Sequence, residues 1–195
     1  MPDAKLEAKI ARILKMVEGL AVGRVLQRLV HRPLWWGLTR YGDSYDIRGV
    51  PFFMYRRSVE KDPDAYVTAL DEAMGYVEKV GLDFASRVRQ ELRFVAATLS
   101  PREAISTVVK GYFTSFKKNE LDNSFYLATK LIWVASFLES FRQAKEKGIP
   151  FQEDRARAVA FARQKAFIRA TPHPQEWLEW TEKEEGRGGI DDIMY

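Results

Sequence analysis

Apolar residues return every three or four positions along most of this chain, the spacing that buries one face of a helix. Between Asp62 and Gly81 that pattern has readable ends. Asp62 offers a capping oxygen, Pro63 is preset for a first helical turn, and Gly81 follows the last. Tyr66, Leu70, Ala73, Met74 and Val77 form the stripe between them. Phe84, Val88, Leu92, Val95 and Leu99 continue the spacing and predict a second helix. Ser100 and Glu103 stand at capping-box spacing and predict a third, carrying Ile105, Val108, Val109, Tyr112, Phe113 and Phe116. A fourth, capped by Asp122 or Asn123, is apolar almost all round from Phe125 to Phe141, which suits the centre of a bundle or a site beneath a partner subunit. Gly148 and Pro150 stop it, a helix from about Glu153 to Ala170 follows, and Pro174 opens a short last one with Trp177 and Leu178. The one strand candidate, Gly49 to Arg57, is interrupted by Pro51. The expected fold is all-α: a helical bundle of about five helices over residues 62–185, carrying an extended, kinked N-terminal helical arm.

That arm has an unusual pattern. Leu6, Ile10, Ile13, Leu14, Val17 and Leu20 share one face of a helix. Val22, Val25, Leu26, Leu29 and Val30 share another, and at about 100° per residue the apolar side swaps across Gly19 and Gly23. Opposite the second stripe lie Arg24, Gln27, Arg28, His31 and Arg32, and no acidic residue occurs between Glu18 and Asp43. Arg24, Arg28 and Arg32 stand four residues apart, so their guanidinium groups rise along one side with about 6 Å between turns. A ladder of this kind can follow the phosphates of a polynucleotide, each contact releasing counterions. Pro33 ends the pattern, and Trp35, Trp36 and Arg40 follow. Residues 43–60 have no period and interleave Arg48, Arg56 and Arg57 with Tyr45, Phe52, Phe53 and Tyr55.

Charge sharpens the division. Residues 1–60 hold 11 Lys/Arg against 6 Asp/Glu, residues 61–150 hold 13 against 12, and residues 151–195 hold 7 against 9. The organisation expected is a basic helical arm with an aromatic-rich loop over 1–60, the bundle over 61–185, and a flexible linker with an apolar-acidic tail over 186–195. In that tail Ile193 and Tyr195 are candidate contacts with another copy, as Trp35 and Trp36 are from the arm. The 195 residues are 46% hydrophobic, enough for a substantial core. With no cysteine, disulfides, thiol catalysis and cysteine-ligated metals are excluded. No apolar run approaches the roughly 20 residues of a membrane span, and the charged N-terminus is not a secretory signal. Only Asn119 and Asn123 represent asparagine, a depletion that, with abundant charge, fits a thermophilic source.

Catalytic motifs are missing. His31 and His173 are the two histidines, and neither belongs to a His-Glu-x-x-His or Glu-x-x-His pair. No Walker loop and no Gly-x-Ser-x-Gly element is present, and Gly186-Arg187-Gly188-Gly189 reads as a linker. Asp62 and Asp64 are explained by capping, and Glu176, Glu179 and Glu182 by a solvated helix face. The expectation is a non-enzymatic structural protein without cofactor or metal. It would coat nucleic acid, duplex DNA by preference and without sequence reading, through Arg24, Arg28, His31, Arg32, Arg40, Arg48, Arg56 and Arg57, and would associate with itself or a related subunit. In organisation this plan resembles the coat (capsid) subunits of filamentous archaeal viruses, which pair a kinked basic arm with a small bundle. The resemblance implies a place in the virion; without it the expected location is cytoplasmic. The alternatives are a protein–protein adaptor or membrane-surface module anchored by the tryptophans, and a helical small subunit of an RNA-guided effector complex.

Overall fold

Asp43–Ile47 and Val50–Met54 pair antiparallel as strands β1 and β2, with Ile47 opposite Val50. Arg48 and Gly49 make the two-residue turn between them, at φ 50° and 81°. Positive φ at both positions matches the twist of a hairpin, but an arginine in the first of them is sterically disfavoured. Three contacts hold it there: Gly49 N–H donates to Asp46 Oδ1 (2.8 Å), the Arg48 side chain grips Asp71 (2.9 and 3.0 Å), and Arg89 Nε donates to the Arg48 carbonyl (2.7 Å). In this computed structural model the described residues are 37, 40, 42–54, 63–97, 103–114, 123–172, 174–187, 190 and 192–194.

Beyond the hairpin, helix α1 (Pro63–Val80) and helix α2 (Leu82–Glu91) lead back to strand β3 (Phe94–Ala97). Strands β4 (Ala104–Ser106) and β5 (Gly111–Thr114) follow as a second hairpin. Three helices come next: α3 (Ser124–Glu146), α4 (Glu153–Arg169) and α5 (Pro174–Gly186). A three-residue strand, β6 (Asp192–Met194), lies parallel to β4. The sheet order is β1-β2-β3-β5-β4-β6, with β2, β3 and β5 mutually parallel.

The expected all-α bundle is therefore corrected to an α/β fold. The span 62–185 holds the five helices, but also three strands of a mixed sheet that helical periodicity does not reveal. Two features of the sequence explain this. Phe94-Val95-Ala96-Ala97 is buried on both faces of the sheet, so it is a continuous apolar run without period-two alternation. Its Val95, read with Leu92 and Leu99, mimics helical spacing. In the second hairpin the four-residue turn Thr107–Lys110, with Lys110 at φ 54°, separates Ile105 from Tyr112 and imitates two helical turns. The third predicted helix is thus a hairpin, and the second ends at Glu91 instead of running to Leu99. On the strand side, Pro51 is tolerated near the start of β2, where it faces Asp46 across the hairpin.

The main core lies between one sheet face and the helices. Val50, Phe52, Met54, Val95, Ala97, Ile105 and Tyr112 supply the sheet side. Leu70, Met74 and Val77 of α1, and Leu127, Leu131, Val134 and Leu138 of α3, pack against it. Helix α3 is innermost: every residue from Tyr126 to Leu138 is buried, with α1, α2 and α4 around it. Its Trp133 and Phe137 rings stack at 5.5 Å, and Phe161 of α4 meets Trp133 edge-on at 5.6 Å. Helix α5 closes against α4, its Trp177 ring edge-on to Phe125 at 5.1 Å.

Candidate functional site

The parallel strands β2, β3 and β5 end together, at Met54, Ala97 and Thr114. The carboxyl edge of such strands is where open α/β sheets most often bind ligands. Here three connections leave that edge, 55–62, 98–102 and 115–122. Their sequences contain Arg56, Arg57, Arg102, Lys117 and Lys118, and they lie outside the described residues.

The described groups nearest this edge are buried and paired. Glu103 precedes β4 and, by the β4–β5 register, lies opposite the end of β5. It forms an ion pair with Lys130 of α3, a lysine only 8% exposed. The Lys130 ammonium also sits 4.8 Å from the centre of the Tyr126 ring. One turn earlier, Asn123 caps α3 by accepting from Tyr126 N–H (3.1 Å), and the Ser124 hydroxyl donates to Glu72 of α1. Each charge has an opposite charge or a ring beside it, which suits holding the helix to the sheet. Among the described residues no group of three or more His, Asp or Glu side chains is placed to hold a metal ion.

Two further clusters lie along α2 and α3. Glu91, 1% exposed, accepts from Arg142 Nε (2.9 and 3.1 Å), with Lys110 Nζ 3.7 Å away. Glu139 lies between Arg87 and Arg163. Burial works to raise the Glu139 carboxyl, but the hydrogen bonds and charges of Arg163 and Arg87 outweigh it, so the group titrates below its ordinary value of 4.5. No motif in the sequence singles out these groups. The available signal is Lys130 and Glu139 bracketing the unbroken apolar run Leu131–Leu138, because a charge at each end of a buried helix requires a partner.

No family model, curated protein or solved structure matches this chain.

Of the residues expected to contact nucleic acid, the structure describes two. Arg40 is exposed, in helical backbone ahead of β1. Arg48 sits in the β1–β2 turn with its guanidinium engaged by Asp71 and by Glu78 Oε2 (2.7 Å). Hydrogen bonds from Arg48 hold both carboxyls below their ordinary range, and Arg89 adds to the effect on Glu78. The Arg48 guanidinium, though exposed, is engaged by two carboxylates of its own fold. Arg24, Arg28, His31, Arg32, Arg56 and Arg57 lie outside the described residues, as do Trp35, Trp36 and Tyr195. Ile193, expected to contact another copy, lies in β6 opposite Ile105 of its own chain. No described helix is long and apolar enough to cross a membrane.

Proposed function

We propose that this protein binds nucleic acid through phosphate contacts made by its basic N-terminal arm, with the α/β unit as the scaffold that carries the arm. The supporting observation is where charge resides. The described residues hold 18 Lys/Arg and 19 Asp/Glu, so the scaffold is close to neutral. Of the chain's 31 Lys/Arg and 27 Asp/Glu, that leaves 13 against 8 in the remaining segments. On the scaffold the buried Lys130 faces Glu103, and the half-buried Arg87, Lys110, Arg142 and Arg163 face Glu139 and Glu91. The surplus sits chiefly on the arm, where Arg24, Arg28 and Arg32 stand four residues apart and no acid occurs between Glu18 and Asp43.

Recognition of this kind is electrostatic and indifferent to sequence. Arg48 leaves the set of phosphate-binding residues, because its guanidinium is already engaged. The likeness to filamentous viral coat subunits falls as well, since it required a helical bundle where this chain has a mixed sheet.

Binding of the intact protein to a random-sequence duplex, followed across a salt series, tests the proposal. Tight binding that weakens steeply with salt supports it. Absence of binding at low salt refutes it, and binding to anionic vesicles but not to duplex would replace it with a membrane-surface role.

A further inference from the structure

The sheet has a second face. On it Phe94, Ala96 and Phe113 form a small core of their own, with Phe53, Ala104 and Val109 at its rim. Phe94 meets Phe53 edge-on at 6.0 Å and Phe113 at 5.4 Å. All five described helices pack into the other core, and none contributes a residue to this one. Yet Phe94 and Ala96 are 0% exposed and Phe113 is 6% exposed within a single chain. Two clustered rings and a methyl group cannot bury themselves so completely on an open sheet, so a further segment of the same chain must lie over them.

We infer that the segment is the N-terminal arm, and that the stripe Val22, Val25, Leu26, Leu29 and Val30 is the surface that docks. Length supports this choice. Residues 1–36 form the longest stretch outside the described elements, whereas the internal stretches hold at most eight residues and leave from the sheet's edge. Position supports it too, because the arm enters the fold just ahead of β1, the neighbour of β2. Dimensions agree: the nine residues 22–30 span about 14 Å as a helix. The small core runs from β2 across β3 and β5 to β4, which at about 4.8 Å per strand is also roughly 14 Å. The small core and the stripe are both apolar.

Docking in this way explains why the arm's apolar side changes at Gly19 and Gly23: one stripe is taken by the chain's own sheet, and the Leu6–Leu20 stripe is left for another surface. It also turns Arg24, Arg28 and Arg32 away from the sheet. The docking stands on the burial of Phe94 and Ala96; the use of the outward arginines rests on the proposed function.

The absence of cysteine makes a direct test clean. Full-length double variants pair a rim position, Val109→Cys or Ala104→Cys, with Leu26→Cys or Leu29→Cys on the stripe, or with Arg28→Cys on the opposite side. Each is treated with a short bifunctional maleimide after its melting temperature is shown to match the parent. Cross-linking within one chain, several-fold higher from the stripe than from Arg28→Cys, is the expected result. Covalent dimers in place of internal links would assign the face to a second copy. Equal yields from both sides of the arm, or none from either, would overturn the docking. Duplex binding is measured on the same variants before cross-linking, so loss of docking and failure of nucleic-acid binding are read separately.

Discussion

Gly111 shows how closely single positions are constrained. It lies beside Phe94 in the β3–β5 register, and a Cβ there would stand 2.1 Å from the tip of the Phe94 ring. That ring is fully buried and has nowhere to go. Gly111→Ala is expected to destabilise by about 1–3 kcal/mol through overpacking. Combining it with Phe94→Leu should recover part of the loss, as non-additivity in urea unfolding would show. Glu139 makes a different prediction. Its folded carboxyl titrates below 4.5, so its contribution is present above that value and is lost as pH falls through the lower, folded one. Arg163→Gln removes one of the two opposing cations and leaves the burial. The folded carboxyl then titrates closer to its ordinary value, so the share of the acid-induced fall in stability that belongs to Glu139 should shrink. The variant, less stable at neutral pH, should converge on the parent as pH falls, which urea midpoints measured from neutral pH downward would detect. An unchanged acid limb would show that Arg87 alone suffices.

Among the elements, the C-terminal strand is the most telling. By sequence the tail points to another copy, because Ile193 and Tyr195 follow a glycine linker. In the structure β6 extends the chain's own sheet, and Ile190 is buried in the main core at 8% exposure. Ile190→Ala is expected to lower stability by about 2–5 kcal/mol, the range for truncating a buried isoleucine to alanine. Sedimentation should show the same association state as the parent; a change in that state with stability intact would return the tail to an intermolecular role. Helices α1, α3, α4 and α5 are legible because caps, prolines and glycines mark their ends and their stripes run unbroken. The strands are not. A central parallel strand such as β3 has no polar face to set a period of two, and the short β4–β5 hairpin places Ile105 and Tyr112 at a separation a helix would also give. The Arg48-Gly49 turn hides the first hairpin for a related reason, since arginine is not a residue that announces a positive φ. The ion pairs of Glu91 and Glu103 join residues distant in sequence, so no local pattern carries them.

At the scale of the whole molecule, a nearly neutral α/β scaffold pairs most of its charges within itself, and a basic arm carries the surplus. Two sets of three charges separate this arrangement from general positive charge. Arg24, Arg28 and Arg32 belong to the arm; Lys147, Arg155 and Arg169 are exposed on the scaffold. Replacing either set with glutamine removes the same net charge. The decisive measurement is the dependence of duplex-binding affinity on salt for the parent and these two triple variants. Substitution in the arm should flatten the logarithmic slope by up to about 2.7, at about 0.9 for each phosphate no longer neutralised, while substitution on the scaffold leaves it nearly unchanged. Equal flattening by the two sets, or a slope insensitive to the arm, would contradict a phosphate-binding arm on a neutral scaffold.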